Sequence, residues 1–559
     1  DGELASGIGN ADIRLNMTGN HMSAYVSTNG VDVGKLADNE NIGIIAANAN
    51  VSADRTQKGL TNINVNGDFP RIDFKGYSYT NIKAHGGYHN DILDGSLSVD
   101  DPNGQISISG TADISKAVQS TDIHATIRNL DLAALKITDK WKDAKFDLDI
   151  SADTKISDAE ANLFRGDIGV RNFRMVSAEE EYRLDSLTLT ASPDRLIMLS
   201  DFGTAELTGR YRLKTVAQSF ANLLHSKLPS FFDAAPRSDN KFSLNAQINK
   251  SDWLNRIFGI PLDIKSPLNV TAHLDDTQGM LRLACSAGKM TYDGNPYEDI
   301  SVTAGTFGDT LSVNGKVKKV MGNGHKLDLD LLADAYDDIL ATSIHWDNNR
   351  RKPMTGTLNA ETKFHRHENG KTDVDINVKP SQILVNDTAW NVLPANILYS
   401  NGDLAIDHFS IEHNRQHIRI DGKATKHSTD SITVDLQDVD VSYVLNLVNF
   451  HSVEFSGHMT GKAHVKSVFY EPDAYADLTV NNFLFEQGRL GKLFANVRWN
   501  KEEKQIDINA HADDKDARTI ITGYVSPAHN HIDLGITAEN TNIEFLESFC
   551  GAFMNDIKG

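Results

Sequence analysis

His365 and His367 stand two apart in the run KFHRHENG, so on a strand both imidazoles would project from one face and could ligate a metal ion. No third ligand has a spacing that completes such a site, and the 20 histidines are scattered along the chain. Structural or solvated histidine is therefore the expectation, and no metal is expected. Gly322-Asn323-Gly324 sits in a turn, the chain has no P-loop, and a phosphate site there is not expected. Asp328 and Asp330 alternate with Leu327, Leu329 and Leu331, which makes them the wet side of a strand rather than an acid–base pair. The Asn-x-Thr/Ser triplets at Asn16, Asn50 and Asn269 occur at chance level. There is no nucleophile elbow, zinc-binding H-E-x-x-H or EF-hand loop. Neither catalytic residues nor a cofactor are expected, and the chain does not read as an enzyme.

The elements that carry these residues follow one plan. From His417 to Val448, Ile418 and Ile420 alternate with polar residues and run into Gly422. A polar turn at 427–430 follows, then a second arm with Ile432, Val434 and Leu436 on one parity. Period-two alternation marks strands with one apolar and one polar face. The stretch closes on Val444, Leu445 and Val448 at helical spacing. The frame apolar-x-apolar-x-Gly returns before Gly19, Gly110, Gly209, Gly315 and Gly523, with Thr519 the one polar residue at a framed position. These glycines lie roughly a hundred residues apart, the signature of an internal repeat. A glycine inside a strand predicts a bulge or sharp bend. The expected units are 1–110, 111–209, 210–315, 316–422, 423–523 and an incomplete 524–559, forming one continuous array of roughly forty short strands.

One segment departs from the plan. In TVAQSFANLLHSKLPSFF, Val216, Phe220, Leu223, Leu224 and Leu228 mark one helix face and Pro229 ends it, which predicts a helical insertion over 215–232. It is expected to cover an exposed sheet edge or apolar surface, with a lid or docking element as the functional alternative. Residues 252–258, DWLNRIF, predict a short helix.

The balance of 55 basic against 76 acidic residues gives a net charge of −21. That excludes nucleic acid, which needs a basic stripe, and adhesion to an anionic membrane surface. Only Cys285 and Cys550 are present, far apart in the repeat, and both are expected to be free thiols. No apolar run is long enough to span a membrane as a helix. The chain starts without Met and stops in mid-pattern, so it is expected to be the interior of a longer protein.

The apolar face itself needs an explanation. With almost no helices to cover it, the sheet must either close around a filled core, as a β-solenoid does, or fold lengthwise into an open trough. Stacked along one axis at ~4.8 Å per strand, forty strands would reach about 200 Å. An open trough would expose more contiguous apolar area than a soluble monomer usually does and would suit a greasy ligand such as a lipid.

The repeated frame with its second arm, as in STDIHATIRNLDLAAL, TDSITVDLQDVDVSYVLNLV and HNHIDLGITAENTNIEFL, resembles the TamB branch of AsmA-like proteins. So do YSYTNIKAHGGYHNDILDGSLSVDDPN, EFSGHMTGKAHV and DAYADLTVNNFLFEQGRLGKLFANVRW. The likeness is a diffuse pattern over essentially the whole chain. It implies an all-β, elongated repeat array, a lengthwise-folded β-taco with an apolar groove, that moves phospholipid between the inner and outer membranes through the periplasm. It also implies an inner-membrane anchor through an N-terminal helix and a BamA- or TamA-like outer-membrane barrel as partner through a C-terminal domain; neither segment is present here. The groove residues would be Ile106, Ile108, Ile123, Ile127, Leu244, Ile248, Val313, Leu329, Ile418, Ile420, Val434, Leu436, Ile521, Leu534 and Ile536, acting by solvating acyl chains. An arginine at Leu436, taken as mid-groove, is expected to block transport without affecting expression. The rival readings are a scaffold assisting outer-membrane barrel or autotransporter assembly and a closed extracellular β-solenoid.

Overall fold

Alternating apolar and polar residues, punctuated by Asn, Asp and Gly pairs, fold as antiparallel hairpins. The structure, a computed structural model, describes residues 2–56, 59–115, 118–157, 164–178, 180–321, 324–351, 353–425, 430–441, 455–467, 472–485, 488–526, 531–540, 543, 557 and 559. Thirty-six strands lie among them, with three short α-helices. The chain divides into two compact units: residues 1–223 with 235–304, and residues 224–234 with 305–559.

In each unit, strands mostly pair antiparallel with their neighbours in sequence. Tight turns set this order. Asn90-Asp91, Asp337-Asp338 and Asn386-Asp387 each place two successive residues at positive φ, as do Lys75-Gly76, Asp293-Gly294 and Asn401-Gly402. Two consecutive left-handed residues make the type I′ turn, whose twist matches that of the flanking strands. Asn and Asp tolerate that conformation because their side chains can bond to the local backbone. The second unit departs once from simple succession. There Met354–Arg366 pairs along its length with both Thr372–Val378 and Ser381–Val385, and the ladder rejoins at Asp403–His413.

The strands bend where the register slips. Slips fall beside His408, Asp438 and Asn482, each at a φ of 51–54°. In the first unit two of them fall at Asp147/Asp149 and Phe146/Leu148, near Asn129 and Asn172, each at 53°, and others among the strands between Gly9 and Phe74. A bulge adds one residue on one side, kinks the strand and increases its twist. The best-packed clusters gather beside these kinks. In the first unit Leu130, Leu135, Phe146, Met175, Tyr182 and Leu184 are buried, with Trp253 and Ile257 of the helix Asp252–Phe258 against them. Burial pushes the Tyr182 hydroxyl up to about 12. In the second unit the cluster holds Leu436, Val439, Met459, Val480, Phe483, Phe485, Leu490, Leu493 and Ile521.

The framed glycines do not all do the same work. Gly110, Gly209, Gly422 and Gly523 lie inside strands at φ 115–145°. A Cβ there would come within 1.9–2.4 Å of a carbonyl oxygen on the adjacent strand, so only glycine fits. Gly19 instead sits in a turn between strands, and at Gly315 a Cβ would meet only ordinary contact.

The insertion expected over 215–232 is a 3₁₀ turn, Leu213–Thr215, running into the helix Val216–Lys227. Leu223 and Leu228 are buried, as the apolar stripe requires. Asn240, fully buried, holds the helix start. Its side-chain amide donates to the Thr215 and Ser219 hydroxyls at 3.0 and 2.8 Å, and its carbonyl accepts from the Arg212 amide at 2.7 Å. Beyond Pro229 the chain is tied to strands of the second unit. The Ser230 amide and hydroxyl donate to the Asp338 carboxylate at 2.7 and 3.0 Å, Arg366 pairs with Asp233 at 2.7 Å, and Phe231 packs on Phe364. Residues 230–233 are thus bonded to those strands. The helical close expected at Val444–Val448 lies outside the described residues, as does Cys550.

Candidate functional site: the apolar face

In an antiparallel sheet the residues directly opposite one another share a face, so rows of partners can be followed from strand to strand. In the first unit one row runs Leu15, Ala24, Val51, Val65, Gly86, Gly95, Gly110, Ile123, Ala152, Ile168, Leu189, Met198, Ala205, Ala246, Val270, Cys285. It crosses sixteen strands without meeting a polar side chain other than the terminal thiol. Beside it runs Ile13, Val26, Ala49, Gly67, Ala84, Leu97, Ile108, Ala125, Ile150, Val170, Leu187, eleven strands long. Ile106 faces Ile127, which faces Leu148, in a third row. Leu244 lies between Leu207 and Ala272, and Ile248 between Gly203 and Leu268.

In the second unit, Val313 faces Ala333, and Leu329 stands between Val317 and Trp346. The other seven expected residues fall in two adjacent rows of nine strands each. One holds Ile418, Leu436, Ile521 and Ile536, the other Ile420, Val434 and Leu534. The structure thus brings together Ile106, Ile108, Ile123 and Ile127 in one patch and these seven in another.

Burial separates the middle of the two patches, although Ile536 at the end of the second is 39% exposed. In the first unit Leu15 is 51% exposed and Leu97 37%. A cavity of about 610 Å³ opens over the face, walled by Val65, Leu97, Ile108 and Ile123 around Gly86, Gly95 and Gly110. In the second unit Leu436 is 8% exposed, Ile521 7% and Val439 0%. There Phe455 stacks on Phe483 and Phe485 at 5.9 and 5.3 Å between ring centroids. A smaller apolar cavity of about 290 Å³ lies further along the same rows, beside Ala463, Ala476, Val497 and Trp499.

Polar residues keep to the opposite parity. Asp328 and Asp330 stand opposite Lys318 and Lys316, as the wet side of a strand should, with Lys316 Nζ 3.8 Å from Asp330. His367 Nε2 is 2.8 Å from an Asp373 carboxylate oxygen, and the His365 ring stands nearly perpendicular to it at 5.2 Å. Gly322 and Asn323 lie outside the described residues. Asp407, His408 and Asp421, which sequence spacing does not single out, converge at the surface through the bulge at His408, and the Asp407 carboxylate raises the imidazole pKa. Asp275, enclosed at a strand end, is lowered to about 2 by the Lys241 ammonium at 2.8 Å and by the Thr277 hydroxyl. Burial raises the thiol pKa of Cys285, which is a free cysteine.

Parity alone locates the aliphatic residues, but not Gly86 and Gly95, which carry no side chain to register. Their signal is that both share the parity of Ala84, Leu93 and Leu97. The described residues include no helix long and apolar enough to cross a membrane. The chain matches no family model, no curated protein and no solved structure.

Proposed function

We propose that this chain carries phospholipid in the periplasm, holding acyl chains against its apolar face as they pass between inner and outer membrane. The observation that carries this reading is the sixteen-strand row of the first unit, apolar throughout and partly open to solvent. Exposed apolar surface of that extent is costly in water, and a long hydrocarbon is the ligand that offsets the cost along its whole length. Burying a sixteen-carbon chain is worth on the order of 10 kcal/mol before entropy, at ~0.8 kcal/mol per CH₂. The kinks beside His408, Asp438 and Asn482 support a sheet folded lengthwise. The resemblance to the TamB branch supplies the rest: an inner-membrane helix at one end, a BamA- or TamA-like barrel at the other, and transport rather than catalysis.

The test is a photo-crosslinking residue in place of Leu15, in the row and half exposed. A phospholipid adduct is expected after irradiation in cells. Adducts with protein alone would favour a scaffold for barrel assembly and overturn this reading.

A further inference from the structure

We propose that the gap at Gly86, Gly95 and Gly110 is a seat for one acyl chain, a place where a hydrocarbon rests rather than slides. This rests on the lipid-carrying reading and adds a position to it. The three glycines are consecutive in the sixteen-strand row, and Val65 and Ile123 close it on either side. The backbone enforces the gap. A Cβ at Gly86 would lie 2.2 Å from the Asp94 carbonyl oxygen, at Gly95 2.2 Å from that of His85, and at Gly110 1.9 Å from that of Asp122. No side chain can fill these positions while the strands stay paired, and the cavity of about 610 Å³ lies over them. Its size falls within the range of small-molecule sites.

The chemistry of the occupant follows from what the gap offers. Between Tyr77–His89, Ile92–Asp101, Gly104–Asp113 and Val118–Asp131 the register runs without a shift. The backbone groups at its floor are therefore spent on the ladder and have none to spare for a peptide or a sugar, whose own polar groups would be buried unpaired. A hydrocarbon makes no such demand. From Val65 to Ile123 there are four inter-strand steps, ~19 Å at ~4.8 Å each, close to the length of an extended sixteen-carbon chain. The same row continues on both sides, so a chain can enter and leave along it.

The experiment uses the whole chain and vesicles of phosphatidylcholine carrying a diazirine in one sixteen-carbon chain, with diazirine-bearing palmitate as a second arm. Adducts are mapped by mass spectrometry on the protein and on two variants. Leu93→Arg places a charge at the half-exposed mouth, and Ala112→Phe narrows the cavity. Both are checked for unchanged circular dichroism. Labelling by either probe concentrated on peptides holding Leu97, Ile108 and Ile123, and lost there in Leu93→Arg, supports the seat. Even labelling along the row, with Leu15 and Leu189 as reactive as Leu97 and no response to either variant, overturns the seat and leaves the conduit standing. No labelling anywhere on folded protein overturns both.

Discussion

The stretch from Val65 to Ile123 and the stretch from Leu436 to Ile521 are written in the same alternating pattern, yet one is an open face and the other a packed core. In the first the central row loses its side chains at three successive strands, and no bulge interrupts the ladders around them. In the second, slips beside Asp438 and Asn482 change which residues share a side. Val439, Phe483 and Phe485 join Leu436 and Leu493 there, and the aromatic rings fill the space. Equal hydrophobicity thus leads to different surfaces, because residue volume and bulge position decide whether a face is filled. The lesson bears on Leu436. Its burial makes an arginine there a blow to folding rather than a plug in a conduit.

The contrast can be broken in four ways. Leu436→Arg should cost more than about 4 kcal/mol and leave the second unit unfolded, because an unpaired charge would be buried. Loss of strand signal by circular dichroism and protease sensitivity confined to residues beyond 305 would show it. A folded variant would mean that this face is open after all. Phe483→Ala should cost about 3–5 kcal/mol, the transfer term plus the cavity it leaves, read as a lower urea midpoint for the second unit.

A third probe uses acid on the first unit. Asp275 titrates at about 2 when folded and near 3.9 when unfolded. Its contribution is complete above the unfolded value and fades as pH falls through the folded one. Asp275→Asn should therefore be less stable than the parent at pH 7, with the difference closing between about pH 4 and pH 2. A difference independent of pH would place its origin elsewhere than the carboxylate. The smallest effect is expected on the open face, where Leu15→Ser should shift stability by no more than about 0.5 kcal/mol. A larger loss would mean that Leu15 is covered.

Much of this was legible from local pattern. The alternation around Ile106, Ile418 and Leu534 identifies strands and their apolar side because a strand has only two faces. The stripe Val216–Leu228 with Pro229 identifies the helix because its period and its terminator are both local. What covers that helix's far end was not legible, since Ser230 and Asp338 are 108 residues apart.

The limits have one physical cause. Alternation tells which side of its own strand a residue takes, and the Asn-Asp and Asp-Gly pairs tell where hairpins turn; both are set by a few neighbouring dihedrals. Register across sixteen strands is a sum of many pairings, and each bulge resets it. Gly19, Gly110 and Gly315 share one local frame, yet one turns a hairpin, one takes a φ that only glycine tolerates, and one is ordinary strand. Only the adjacent strand's carbonyl distinguishes them. The composition of the apolar face was therefore determined by the sequence alone, and its openness at Gly86, Gly95 and Gly110, or its closure at Leu436, was decided by how the adjacent strands pair and where they bulge.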